Sequence, residues 1–302
     1  MSQHDNWSSR LGFILAAAGS AIGLGAIWKF PYTAGTHGGA VFFLLFIVFT
    51  FLVGAPVLVA EFVIGRHSRH NAIQAFHRIR PGSVWPQVGW LGVVTCFVLL
   101  SFYSVVGGWV VAYIWHGISG DLAAVTDYGA FFGAMIENPG EVLLFQGLFM
   151  LATVYVVQAG VSQGIERANK YMMPALFVMF LLLALRSLTL PGAWQGVVFL
   201  LKPDWSFFNG ETMLSALGQA FFALSIGVSV MITYASYLRD DYDLLRSANS
   251  IVWMNIAISL LAGLVIFPAV FALGFTPNQG PGLIFAILPA VFAQLPLGVP
   301  LF

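Results

Sequence analysis

Seven long, nearly uncharged apolar stretches, at residues 11–33, 40–65, 87–118, 142–158, 171–187, 212–238 and 249–275, limit this chain more than any other feature. A helix needs about 20 mostly apolar residues to cross roughly 30 Å of hydrocarbon. None of the stretches alternates polar and apolar residues with a period of two, so they favour helices over a β-barrel. Composition agrees: 59% of the residues are apolar and 8% are Asp, Glu, Lys or Arg, where a soluble domain carries about 25% charged residues. The formal net charge is zero. That argues against nucleic acid as a partner and leaves the lipid bilayer as the main one. One cysteine, Cys96, rules out an intrachain disulfide. The run from Leu11 to Ala21 resembles a cleavable signal only superficially, because its leader is polar and its apolar character continues through Trp28.

An eighth apolar stretch, 283–302, carries Pro289, Pro296 and Pro300. It reads as an external re-entrant loop, over about 283–300, folding back toward another helix. Because the sequence stops at Leu301-Phe302 without a polar tail, residues 1–302 are expected to be a single transmembrane domain truncated at its carboxyl end.

The loops set the orientation. Arg66, Arg69, Arg78 and Arg80 follow the second stretch, Arg167 and Lys170 precede the fifth, and Arg239 and Arg246 precede the seventh. The 119–141 loop has no Lys or Arg and carries Asp121, Asp127, Glu137 and Glu141. Basic loops stay on the cytoplasmic side, so a multi-pass protein of the cell inner membrane with a cytoplasmic amino terminus is expected.

Gly19, Gly23 and Gly25 fall mid-way along the first stretch, before Pro31. Each glycine costs a helix interior about 1 kcal/mol relative to alanine, so they weaken it at one depth. Close helix packing through small residues is the alternative. Ser225, Gly227 and Ser229 stand at a similar depth in the sixth stretch. Two interrupted helices five apart suggest two inverted five-helix repeats, with the binding site at the breaks. Unwound backbone offers N–H groups to an anion and carbonyls to a cation. Glu61, well inside the second stretch, is either functional or a structural acceptor for N–H groups freed by the breaks.

The segments "NWSSRLGFILAAAGSAIGLGAIWKFPY", "GGAVFFLLF" with "GAPVLVAEFVIGR", "GIERANKYMMPALF" and "LGQAFFALSIGVSVMITYASYLRDD" resemble, in order, the neurotransmitter:sodium symporter family. The rule about interrupted helices was itself drawn partly from this family, so the two arguments are not independent. The resemblance implies the all-α leucine-transporter fold: here the first five-helix repeat, helices 6 and 7 and part of an external loop. It implies a sodium-coupled symporter for a neutral amino acid or related small amine, alternating access around helices 1 and 6, and no enzymatic activity. No zinc-protease motif appears in the sequence.

Residue by residue, the resemblance places a substrate carboxylate at the backbone of Leu24 and Gly25 and the hydroxyl of Tyr103. Leu99, Val106, Phe222, Ser225 and Val228 would line the side-chain pocket; read without the family, these and Tyr103 are equally ordinary core. The carbonyls of Gly19 and Ile22 would serve the second sodium site, whose other ligands come from helix 8. Lys29 would be the external-gate cation, with Trp7, Ser236, Tyr237 and, near the basic position, His4 at the internal gate. Gly164 and Pro174 match a glycine–proline spacing at which helix 5 unwinds to release sodium, although a plain loop and helix start would look the same.

The departures are as informative. At the first sodium site an Asn and a Thr are replaced by Ala26 and Ala223, leaving Asn255 and the carbonyl of Ala21. At the chloride site Gln219, Asn255 and Ser259 match, but Phe46 and Ala223 lack the expected hydroxyls. Sodium is therefore expected as the coupling ion and chloride is not. A transport-dead homologue acting as a receptor or partner subunit is the alternative.

Overall fold

The computed structural model describes residues 6–275 and 283–293, and the regular structure among them is entirely helical. In order the elements are α1 (Arg10–Leu24), a π-helical stretch (Gly25–Lys29), α2 (Phe30–Thr36), α3 (Ala40–Phe49), a second π stretch (Thr50–Gly54), α4 (Ala55–Ser68), α5 (Ala72–Ile79), α6 (Pro86–Ser119), α7 (Tyr128–Ile136), α8 (Pro139–Gln158), a third π stretch (Val161–Glu166), α9 (Arg167–Leu188), α10 (Ala193–Leu201), α11 (Gly210–Ala223), α12 (Val230–Ser236), α13 (Leu244–Ala272) and α14 (Leu283–Phe292). Five continuous helices, Ala40–Ser68, Pro86–Ser119, Pro139–Gln158, Val161–Leu188 and Leu244–Ala272, are long and apolar enough to cross a membrane. The pair Arg10–Gly23 and Gly25–Thr36, bent by 41°, makes a sixth. The expected sixth stretch is divided between α11 and α12 by a non-helical run, residues 224–229.

Burial separates helices of like composition. The most apolar window of α13 is 67% buried and that of α8 only 6%. On α8, Leu143, Leu144, Leu151 and Tyr155 are all exposed, as on a helix face that suits hydrocarbon surroundings. The main core forms where α1, α3, α4, α11, α12 and α13 meet, around Phe13, Phe46, Phe62, Leu224, Met231 and Phe267. It therefore lies directly behind the two interrupted helices. Side-chain caps fix several helix starts: Ser9 accepts from Gly12 N, Asn138 from Glu141 N and Asp243 from Arg246 N.

Three expectations change. The fifth helix does not begin at 171: π and α winding run unbroken from Val161, so Arg167 and Lys170 sit in the helix rather than in a loop. The segments 66–85 and 119–141, read as loops, carry α5 and α7, and α10 lies between the fifth and sixth stretches, each too short to stand out as a spanning stretch. The described part of 283–302 is a helix, α14, despite Pro289 within it. A proline removes the N–H that would pair with the carbonyl four residues earlier. Here that carbonyl, Phe285 O, accepts from the Tyr113 hydroxyl of α6 at 3.0 Å, and the Phe285 ring stacks on Phe132 of α7 at 4.8 Å. Pro296 and Pro300 lie outside the described residues.

Candidate substrate and ion sites between two broken helices

The first interruption is at Gly23, whose φ and ψ of −25° and −137° leave the helical region inside α1. The second is more extensive. Within 224–229, Ser225, Gly227 and Ser229 have φ of 52°, 80° and 65°. The left-handed region suits glycine, but it costs a serine on the order of 1–3 kcal/mol. Neighbours hold this strained run in place. Glu61 Oε1 accepts from Gly227 N at 2.6 Å, Ser225 Oγ donates to Ser20 O at 3.0 Å, and Cys96 Sγ donates to Val228 O at 3.2 Å. Gly92 lets α6 approach, because a Cβ there would fall on the Ser229 side chain.

Between the breaks lies a cavity of about 260 Å³ lined by Ser20, Ala21, Gly25, Cys96, Leu99, Tyr103, Phe222, Ser225 and Val228, among others. Leu99, Tyr103, Phe222, Ser225, Val228 and Gly25 are thus brought together, with Leu24 placed at the break by its backbone. Val106 is not among them: it is fully buried with Tyr113, Leu122, Phe145 and Phe285, where α6 faces α7, α8 and α14. Nor is the Gly25 N–H free, since it donates to Ile22 O. That one bond engages both an expected carboxylate donor and an expected sodium ligand, although a carbonyl keeps a second lone pair. Ser20 and Cys96 were not among the sequence candidates. The available signal was spacing, since Cys96 lies three and seven residues before Leu99 and Tyr103, on one helical face.

Lys29 holds its ammonium 3.9 Å from the centre of the Phe222 ring, a cation–π contact at the cavity wall. Among the described residues no carboxylate lies within ion-pair distance of it.

At the first candidate ion site, Asn255 Nδ2 donates to Ala223 O at 2.6 Å and to Ala21 O at 3.4 Å. Its Oδ1 is buried without a partner. Ala26 and Ala223 are fully buried and add no side-chain oxygen. At the second, Gly19 and Ile22 face α9 and α13, with Ile22 packed among Ala18, Ala26, Met173 and Ile258. Beside them opens an apolar cavity of about 310 Å³ lined by residues such as Leu15, Met173, Phe177 and Met254. In the expected chloride set, Gln219 Nε2 donates to Gly25 O at 2.9 Å, Gln219 Oε1 and Ser259 Oγ are unpartnered, and Phe46 packs in the core.

At the opposite end Trp7 is almost wholly buried. Its Nε1 donates to Tyr234 O at 2.8 Å and its backbone N to Tyr237 O at 3.2 Å. The Ser236 hydroxyl turns back to Thr233 O within α12, so it does not join that contact. His4 lies outside the described residues. Gly164 is wound into the third π stretch, where a Cβ would collide with Val156 O, and Pro174 sits inside α9.

Two helices broken at one depth around a cavity, within a bundle whose outer helices are apolar and unburied, define a broken-helix membrane transporter. The structure matches a solved one, MhsT in complex with L-phenylalanine, with a TM-score of 0.93 and 46% identity over 98% of this chain and 68% of that one. The family model of the sodium:neurotransmitter symporters matches residues 4–129 and 130–302, and the chain belongs to that family, whose members are transporters and not enzymes. It is 57% identical to the uncharacterized sodium-dependent transporter YhdH of Bacillus subtilis over 98% of its own length. It is 39% identical to an uncharacterized sodium-dependent transporter of Haemophilus influenzae over 97% of its length and 67% of that protein's. Identity to the human sodium- and chloride-dependent taurine transporter is 26%, over 98% of this chain and 56% of that protein. The chain spans 66% of YhdH, about two thirds of such a relative.

Proposed function

We propose that this chain forms the substrate-binding part of a sodium-coupled symporter for a neutral amino acid or related small amine. The observation that carries the reading is the cavity of about 260 Å³ walled by both broken helices and by Tyr103. Apolar groups at Leu99, Phe222 and Val228 suit an uncharged side chain, and MhsT, the structural neighbour, holds L-phenylalanine. Backbone N–H groups near Leu24 and Gly25, with the Tyr103 hydroxyl, would receive the carboxylate. Sodium would bind at the carbonyls of Gly19 and Ile22 together with groups outside this chain. Alternating access would come from rocking of the halves of helices 1 and 6 about their breaks. Lys29 would close the outer side, and Trp7 with Tyr237 the inner side.

Full-length protein in proteoliposomes tests this. A sodium gradient should drive saturable uptake of an apolar amino acid. The replacement of ligand oxygens at Ala26 and Ala223 favours one other reading, a transport-dead receptor or partner subunit; saturable binding without uptake would establish it. Tyr103→Phe removes one hydrogen bond to a charged group, worth about 1.5–3 kcal/mol. Affinity should fall about 10-fold or more with expression unchanged, and unchanged affinity would take Tyr103 out of the carboxylate site.

The reading also places the amino terminus in the cytoplasm of a cell with this protein in its inner membrane. Supporting it, two basic loops meet at one end of the bundle: Arg69 Nη2 pairs with Asp240 at 2.6 Å, and Arg66 Nη1 donates to Tyr242 O at 2.6 Å. A cysteine at position 80, in a Cys96→Ala background, should react with an impermeant thiol reagent only after the membrane is opened. Labelling of intact cells would reverse the topology.

A further inference from the structure

Glu166 is a carboxylate that the site described above does not use. It is the last residue of the third π stretch, and it is fully buried. All but one of its partners come from the start of the sequence. Ser8 N donates to Oε2 at 2.7 Å, and the Ser8 and Ser9 hydroxyls donate to Oε1 at 2.5 and 3.1 Å. Lys170 pairs with Oε1 at 2.7 Å and also donates to Ser8 Oγ at 3.2 Å. The first turn of α1 is shaped to receive this group, since a Cβ at Gly12 would occupy the place of the Glu166 carboxylate. Two turns further along α1, the Asn169 side chain fills the space beside Gly19 in the same way. One face of the fifth helix therefore presses its polar side chains into the glycines of α1. On its other side, residues 7–9 are pinned to α12 through Trp7.

Glu166 is anchored where the fifth helix begins in π rather than α winding. A π stretch winds more loosely than the α-helix that follows it here and marks a place where a helix can shift register. Gly164 within it has no side chain to resist such a shift. We propose that Glu166 is a catch that ties rewinding or unwinding of residues 161–166 to release of residues 7–12, so that the cytoplasmic ends of helices 1 and 5 open as one. This rests on the alternating-access reading above and makes Glu166 a positioning residue, acting through α1 rather than touching substrate.

The test uses full-length protein in proteoliposomes with Cys96 replaced by Ala. A reporter cysteine at Thr233 lines the cavity of about 290 Å³ that lies between Trp7, Val161, Ile165 and Tyr237. A second, at Ala262, is buried among α9, α10 and α13. Glu166→Gln keeps the shape but weakens every bond to the carboxylate. In sodium it should raise labelling at 233 about 10-fold or more and leave labelling at 262 within about twofold. Ser8→Ala with Ser9→Ala, which cuts the same contacts from the other side, should do likewise to a smaller degree. No change at 233 in either variant would overturn the proposal. An equal rise at 262 would also overturn it, because Glu166 would then merely support the fold. Labelling reports opening whether or not solute moves, so a negative result here leaves the symporter reading standing, and absent uptake by the unmodified protein counts against that reading alone.

Discussion

Glu61→Leu should reduce substrate binding by about 100-fold or more, whereas Glu61→Gln should reduce it by only about 10-fold. The argument starts from backbone conformation. Ser225 and Ser229 adopt left-handed φ values that cost on the order of 1–3 kcal/mol each, so residues 224–229 do not hold this path unaided. The hydrogen bond from Gly227 N to Glu61 Oε1, at 2.6 Å, crosses from α4 to the centre of the strained run. Leucine is similar in size but accepts nothing. It would leave a buried N–H unpaired, at about 1–3 kcal/mol, as well as losing the short bond itself. Residues 224–229 would then relax, and Phe222, Ser225 and Val228 would leave their places on the cavity wall. Glutamine keeps an acceptor oxygen at the same reach, so its loss should be the smaller one. Radioligand binding to detergent-solubilised full-length protein measures both variants, and expression and thermal stability guard against simple misfolding. Leucine binding within threefold of the unaltered protein would show that Glu61 does not position the site.

The sequence made the membrane helices and the depth of both breaks legible because each rests on a local property. Apolar length marks a span, and Gly23 or Gly227 marks a weak point whatever surrounds it. Glu61 was likewise conspicuous as an acidic residue in an apolar run, with a structural acceptor role already among its readings. What could not be read depended on contacts between distant segments. Val106 lies on α6 three residues beyond Tyr103, yet it packs against α8 and α14, because the neighbours of a helix change along its length. Pro289 signalled a loop, and the carbonyl that it leaves unpaired in α14 is satisfied by the hydroxyl of Tyr113, from 172 residues earlier. Glu166 was hidden inside a family motif, and its partners Ser8 and Ser9 lie nearly 160 residues away. Cys96 was no candidate because its spacing from Leu99 and Tyr103 gains meaning only once the fold sets it at the cavity wall against Val228 O.

One sodium per substrate is the second large expectation, and the geometry of Asn255 gives it a physical basis. A cation at the first site would need the carbonyls of Ala21 and Ala223, yet the Asn255 amide nitrogen donates to both. Turning the amide over would aim Oδ1 at two other oxygens, a repulsive arrangement unless an ion lay between them. Ala26 and Ala223 supply no further ligand, so coupling is expected to fall to the second site. One charge crossing 100 mV provides ~2.3 kcal/mol, or about 50-fold accumulation of a zwitterionic substrate from voltage alone. A second sodium would square that factor, to roughly 2,500-fold. Reversal potentials measured with full-length protein in proteoliposomes separate the two values, and a two-sodium result would sink the idea. Gluconate in place of chloride should leave uptake within about twofold. Ala26→Asn with Ala223→Thr should move the stoichiometry toward two; either change alone should not, because one added oxygen still leaves the ion short of ligands. Both positions are fully buried, so overpacking should cost about 1–3 kcal/mol. Sodium should restore part of that stability in the double variant, and a thermal shift of the double variant that ignores sodium would mean that no ion entered the site.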